Sequence, residues 1–255
     1  MRYYGTAAST LKTDSSPVTA ADHASNHVIV QMLREAFPTD GILSEEMKGS
    51  SPLLGTDRIW IVDPLDGTKE FLAQNGEFSI MIGLTVGGEP VVGAVYLPAR
   101  DVMYSASRGG GAWVQRNGQR TQLRCSWADA QRLRLVGSRS HPDPLLLRIQ
   151  ESLGITDVRP SGSVGVKCAL IAEGERDLYI HPVPYMKEWD TCAPEVLIRE
   201  AGGDITDCYG DPLRYNKPDP AQPHGIVACA PGVAASVLAC VSPLFAETVF
   251  ARQPG

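Results

Sequence analysis

The run Trp60-Ile61-Val62-Asp63-Pro64-Leu65-Asp66-Gly67-Thr68-Lys69-Glu70-Phe71 carries an apolar strand straight into two acids, a glycine and a threonine. Asp-Gly is a turn dipeptide, so an ordinary turn accounts for Asp66-Gly67. It does not account for Asp63 at the strand's end, for Pro64 stiffening the bend, or for Asp66 at a spacing that can aim both carboxylates into one cleft. Hard divalent cations such as Mg²⁺ take oxygen ligands from one or two carboxylates, with water and substrate phosphate completing the octahedron. Gly67 and Thr68 add backbone N–H groups at the start of a turn or helix, a cradle for phosphate.

Two further acid sources lie apart from this run. Ser44-Glu45-Glu46 follows a short apolar stretch and on composition alone reads as a solvated loop. Glu188-Trp189-Asp190-Thr191 precedes a helical pattern, where Asp190 would serve as an N-cap. Asp22 also has a structural explanation, because Thr19-Ala20-Ala21-Asp22 has the form of a capping box.

The elements that must position these groups can be read from periodicity. Ala21, Val28, Ile29, Met32, Leu33 and Phe37 share one helical face, and Pro38 closes the helix expected over residues 19–37. Strands are expected at 41–44, 59–62, 78–86, 91–96, 103–106 and 112–115, with Asn117-Gly118 a type I′ turn signal. From residue 133 strands at 134–136, 178–180 and 225–228 alternate with helices at 144–153, 164–173, about 191–201 and the C-terminus. The chain thus divides into an α+β lobe over residues 1–130 carrying most of the acids and an α/β lobe over 131–255 completing a cleft.

Composition narrows the function. Lys and Arg total 23 against 29 Asp and Glu, a net charge of −6 with no basic run, which excludes a groove for polymeric nucleic acid. An anionic substrate would need metal ions to approach such a chain. The six cysteines form no Cys-x-x-Cys pair and read as reduced thiols of a cytoplasmic protein. The N-terminus lacks the apolar stretch of a signal peptide, and Pro231, Gly232 and Pro243 break the long uncharged stretch at 225–246, so no membrane partner is expected.

Asp63-Pro64-Leu65-Asp66-Gly67-Thr68, with Glu45 upstream and Trp189-Asp190 before a helix ending Glu200-Ala201-Gly202-Gly203, resembles the inositol monophosphatase-like superfamily of Mg²⁺-dependent phosphatases. Ser16-Pro17-Val18-Thr19-Ala20-Ala21-Asp22, Leu43-Ser44-Glu45-Glu46, Lys69-Glu70-Phe71 and Gly137-Ser138-Arg139-Ser140-His141 are similar to its CysQ-type 3'(2'),5'-bisphosphate nucleotidase branch. Gly162-Ser163, Lys167 and Ala172-Glu173-Gly174 fit the same branch.

The resemblance implies a five-layer α/β/α/β/α sandwich of the α+β kind and two or three Mg²⁺ ions held by Glu45, Asp63, Asp66, Asp190 and the Leu65 carbonyl. Asp22 and Thr68 would orient and deprotonate the attacking water. The Gly67 and Thr68 amides would hold the phosphate being cleaved, while Ser140, His141, Ser163 and Lys167 would bind the nucleotide and its second phosphate. His181 stands where relatives usually carry Arg and is expected to share that task. The implied reaction converts adenosine 3',5'-bisphosphate to AMP and phosphate, as in sulfur assimilation. The alternatives are inositol-1-phosphate or another small phosphomonoester, such as histidinol phosphate or fructose-1,6-bisphosphate, and, from a different class, a non-catalytic metal- or nucleotide-binding regulator. Members of the superfamily usually carry a long amphipathic helix before the region of Lys12-Thr13-Asp14, where this sequence has only Met1 to Thr10. The resemblance therefore implies an apolar stripe on the next helix or sheet that an upstream segment or a homodimer partner is expected to cover.

Overall fold

A computed structural model describes residues 1–6, 8–12, 17–47, 56–140 and 143–252. Strands β1 (Ser9–Leu11) and β2 (Pro17–Thr19) pair antiparallel and lead into helix α1 (Ala20–Ala36). The expected capping box is present: the Thr19 N–H donates to Asp22 Oδ2 at 2.8 Å and the Ala21 N–H donates to Thr19 Oγ1 at 3.1 Å. At the other end the Phe37 N–H returns to the Leu33 carbonyl.

Strand β3 (Gly41–Ser44) runs parallel to β4 (Arg58–Asp66), which continues past its expected end at Val62. Its pairing with the next strand shifts register between Asp63 and Asp66, around a proline that has no N–H to give the ladder. That irregular extension carries both acids, and helix α2 (Thr68–Leu72) follows it. Strands β5 (Ser79–Val86), β6 (Glu89–Leu97), β7 (Val102–Ser107), β8 (Gly111–Arg116) and β9 (Gln119–Leu123) complete a seven-stranded sheet in sequence order from β3. The β8–β9 turn has φ of 49° at Asn117 and 75° at Gly118, as a type I′ turn requires.

The second half supplies β10 (Arg134–Ser138), α3 (Pro144–Ser152), β11 (Asp157–Ser161), α4 (Val164–Ala172), β12 (Leu178–His181) and β13 (Met186–Lys187). It ends with α5 (Glu188–Glu200), β14 (Asp204–Thr206), β15 (Ala221–Gln222), β16 (Ile226–Cys229) and α6 (Ala234–Arg252). Strands β11-β10-β12-β16-β14 form a five-stranded sheet, parallel where β10 meets β11 and β12 and antiparallel at β16. Helix α5 starts earlier than its pattern suggested. Lys187 is the N-cap and its N–H donates to Asp190 Oδ2, so Asp190 occupies the third helical position rather than the cap.

Alternation along the strands sets the layers. On β4, Ile59 and Ile61 face the central core, while Val62 packs with Val30, Leu33 and Ile42 on the α1 side. On the second sheet, Val136, Tyr179, Ile226 and Ala228 face the same central core, while Leu135, Leu178, Ile180 and Val227 face α3 and α6. Helices α4 and α5 lie between the sheets. The five layers are therefore α1, sheet, α4 with α5, sheet, and α3 with α6, which is the expected sandwich.

Gly83 and Gly93 are direct partners on β5 and β6 and form the floor beneath α5. A Cβ on Gly93 would stand 2.4 Å from the Ala193 carbonyl oxygen, and one on Gly83 would stand 2.4 Å from Cys192 Sγ. On the opposite side of this sheet an open apolar groove of about 540 Å³ runs between α1 and the strands, lined by Val28, Ile29, Phe78, Ile80, Ile82 and Met103 among others. Among the described residues no helix is long and apolar enough to cross a membrane.

Candidate active site

Asp63, Asp66 and Asp190 each bring one carboxylate oxygen within 4.8 Å of the other two. The first two come from the irregular end of β4 and the third from the first turn of α5. Each is tied by one oxygen. Asp63 Oδ1 accepts the Leu65 N–H at 3.0 Å, and Asp190 Oδ2 accepts the Lys187 N–H at 2.6 Å. Asp66 Oδ2 accepts the Gly165 N–H at 3.0 Å, the Ser79 hydroxyl at 3.2 Å and the Ser163 hydroxyl.

Burial pushes the Asp63 carboxyl well above the usual carboxylate range, and the charges of Glu45, Asp66 and Asp190 push it further. Asp190 is raised in the same way, by burial and then by Asp66 and Glu45. A donor set made only of carboxylate oxygens, crowded and mutually repelling, fits a hard divalent cation whose charge would relieve that repulsion.

Glu45 follows β3, and its N–H donates to the Val62 carbonyl. Its side chain lies outside the group of three. Oε1 accepts the Lys12 ammonium at 2.7 Å, and the same ammonium reaches Glu46. Burial raises the Glu45 carboxyl while Lys12 pulls it down. Burial works against the Lys12 ammonium, but Glu45 and Glu46 outweigh it and hold its pKa above the ordinary value.

Asp22, 2% exposed, uses both oxygens. Oδ2 takes the Thr19 N–H and, at 2.6 Å, the Thr19 hydroxyl, whereas Oδ1 lies 3.1 Å from Thr68 Oγ1. Thr68 Oγ1 is also 3.4 Å from the Leu65 carbonyl, which brings the expected backbone ligand next to the dyad. Gly67 caps α2 with φ 93°, in the left-handed region, and a Cβ there would stand 3.1 Å from the Glu77 carbonyl oxygen.

The residues expected to bind the nucleotide divide by exposure. Ser163 is the N-cap of α4, accepting the Val166 N–H at 3.1 Å and lying 2.9 Å from Ser79 Oγ. Lys167, 3% exposed, donates to the Ser163 carbonyl at 2.6 Å, with its ammonium 5.0 Å from the Tyr179 ring centre. Burial lowers the Lys167 pKa, and Asp66 opposes that. Ser140 is half-buried with its hydroxyl on Glu70, and His181 ends β12 with its ring 6.4 Å from that of Tyr179. His141 lies outside the described residues.

The sequence reading did not assign Lys12, Ser79, Gly165 or Glu77 to the site. Ser79 and Gly165 meet Asp66 across 13 and 99 positions of chain, a proximity that no local pattern announces.

Known proteins resemble this chain in sequence and in fold. Residues 3–242 match the inositol monophosphatase family. The chain is 42% identical over 205 residues to the 3'(2'),5'-bisphosphate nucleotidase CysQ of Escherichia coli (strain K12), across 80% of this chain and 81% of that one. It is 34% identical over 232 residues to a 3'-phosphoadenosine 5'-phosphate phosphatase of Mycobacterium leprae, across 87% and 81%. The crystal structure of CysQ from Bacteroides thetaiotaomicron, a bacterial member of the inositol monophosphatase family, matches with a TM-score of 0.74 at 33% identity over 86% of each chain. Sequence and fold agree over most of the chain's length, and this protein belongs to the inositol monophosphatase family.

Proposed function

We propose that this protein is a Mg²⁺-dependent 3'(2'),5'-bisphosphate nucleotidase that hydrolyses adenosine 3',5'-bisphosphate to AMP and phosphate. The observation that carries the reading is the meeting of Asp63, Asp66 and Asp190. The Thr68–Asp22 pair supports it, as do curated relatives named as bisphosphate nucleotidase and 3'-phosphoadenosine 5'-phosphate phosphatase.

Two or three Mg²⁺ ions would be held by the three aspartates, Glu45 and the Leu65 carbonyl. Bound there, Mg²⁺ lowers the pKa of attached water and neutralises charge on the phosphoryl group. Thr68 donates its hydroxyl proton to Asp22 Oδ1, which leaves Thr68 Oγ1 free to accept a proton from the attacking water. The water oxygen forms the new bond to phosphorus as the bond to the 3'-oxygen breaks in line with it. Solvent then protonates that oxygen to give the free hydroxyl. The Gly67 and Thr68 amides, at the start of α2, hold the phosphate during transfer. Ser140, His141 and His181 take the nucleotide side, whereas the enclosed Ser163 and Lys167 act from beneath by holding Asp66 and the start of α4.

Phosphate release from adenosine 3',5'-bisphosphate, inositol-1-phosphate, histidinol phosphate and fructose-1,6-bisphosphate tests this directly. The expected preference for the bisphosphate nucleotide over inositol-1-phosphate is at least ~10² in kcat/KM, since the inositol substrate lacks the second phosphate and the base. Equal values or a reversed order would move the protein to a broader phosphomonoesterase role. A chain that binds Mg²⁺ and cleaves none of the four would fit the regulator reading. The open apolar groove beside α1 supports a homodimer, which sedimentation velocity tests, and the free cysteines support a cytoplasmic setting.

A further inference from the structure

Two stretches that carry the resemblance to the nucleotidase branch, Lys69-Glu70-Phe71 and Gly137-Ser138-Arg139-Ser140, meet in the fold. Glu70, 5% exposed, accepts the Ser140 hydroxyl. Glu77, a few residues on, accepts a two-pronged contact from Arg139, with Nε and Nη2 each at 2.9 Å, and takes the Gly162 N–H at 2.8 Å. Arg139 also donates to the Pro160 carbonyl at 3.0 Å, which binds the ends of β10 and β11 into one unit.

The approach is close. A Cβ on Gly162 would lie 2.2 Å from Glu70 Cγ and 2.8 Å from the Glu77 carbonyl oxygen. The next residue is Ser163, whose φ of 53° with ψ of 135° is a conformation that L residues keep only where the surroundings over-determine it. Held in that way, Ser163 places its hydroxyl on Asp66 Oδ2, and the turn that follows places the Gly165 N–H on the same oxygen. A continuous path therefore runs from Glu70 and Glu77 through residues 139–140 and 162 to the carboxylate of Asp66.

We propose that Glu70 and Glu77 are positioning residues for the metal site. They clasp the second half of the chain so that Ser163 and Gly165 fix which oxygen of Asp66 faces Asp63 and Asp190. This rests on Asp66 being a metal ligand and deepens the proposed function. Partners that orient a metal ligand are worth one to two orders of magnitude in affinity when removed. A clasp that only fastened the two halves together would alter stability and leave the metal alone.

The test is Glu77→Gln in the full chain, which keeps the side chain's shape and removes the charge that Arg139 pairs with. Titration calorimetry with MgCl₂ alone should show Mg²⁺ bound about tenfold more weakly than in the wild type, and the half-maximal Mg²⁺ for phosphate release should rise by a similar factor. Turnover should recover when Mg²⁺ is raised to match. Adding Glu77→Gln to Ser163→Ala should weaken Mg²⁺ binding little beyond Ser163→Ala alone, because both act on the same contact. If Glu77→Gln does not fold, Arg139→Gln, on the exposed side of the clasp, should give a weakening of about threefold or more. A folded variant with a lowered melting temperature and unchanged Mg²⁺ affinity overturns the proposal, as does full additivity with Ser163→Ala. A wild-type chain that binds Mg²⁺ without cleaving adenosine 3',5'-bisphosphate refutes the substrate reading while the calorimetric comparison still decides the clasp. A wild-type chain that binds no Mg²⁺ refutes both.

Discussion

Asp22 divides its two carboxylate oxygens between tasks that the sequence presents as alternatives. Oδ2 closes the capping box of α1 and Oδ1 faces Thr68. Asp22→Asn should therefore do two things at once: lower stability by about 1 kcal/mol, as for a weakened cap, and reduce turnover by ~10² or more, as for a lost proton acceptor. Urea denaturation and kcat measured on the same preparation check this. A stability loss with normal kcat would leave Asp22 a cap alone. The aspartates give a second expectation. In the metal-free chain Asp63, Asp190 and Glu45 stand above their unfolded values, chiefly through burial, so over that window the folded state binds more protons than the unfolded chain. Their contribution to stability is present below the ordinary carboxylate pKa and is lost as pH rises through the raised values. Glu77, which Arg139 and Gly162 hold low against its burial, acts in the opposite sense but only as pH falls through its own lowered value. With chelator, melting should accordingly occur at higher temperature at about pH 5.5 than at about pH 8, and saturating Mg²⁺ should remove or reverse that order. A metal-free protein more stable at the higher pH would refute the raising of these carboxyls by burial and by one another's charge.

At the scale of elements, helix α5 rests on the paired glycines of β5 and β6 and carries Asp190 in its first turn. Gly93→Ala should cost about 1–3 kcal/mol, since its Cβ meets backbone rather than a flexible side chain. Chemical denaturation reads that cost, and near-wild-type stability would show that α5 can lift without penalty. Nothing in the sequence marked these glycines as a helix floor, because strand glycines have several uses and the helix arrives from a remote part of the chain. What was legible had local causes. Helix α1 has an apolar stripe, a capping box and a closing proline, and the β8–β9 turn has Asn-Gly. Strand β11 escaped because its residues are mostly exposed and include Pro160, and β14 because it is three residues long. The start of α5 was misplaced because lysine is not a favoured cap, so Asp190 drew the assignment. Asp63 and Asp66 were legible because they bracket Pro64 and run straight into Gly67 within one short stretch. Ser79, Gly165 and Lys12 were not, since their roles exist only once distant segments have met.

Across the whole molecule, the second half of the chain supplies α4 and α5, yet both helices lie between the two sheets and share the core of the first. The carboxylate group follows the same division, with Asp63 and Asp66 from one half and Asp190 from the other. Asp66 is further held by Ser163 and Gly165 of the second half. A cation site assembled in this way cannot exist in a chain whose halves have folded but not yet docked. On the proposed function magnesium would be a ligand of the finished structure alone, and its influence on kinetics should be one-sided. Refolding rates in stopped flow should be the same with and without Mg²⁺, while unfolding should slow as Mg²⁺ is raised, the signature of an interaction absent from the transition state. Accelerated refolding would mean instead that the two halves find each other early, and that the ion takes part in bringing them together.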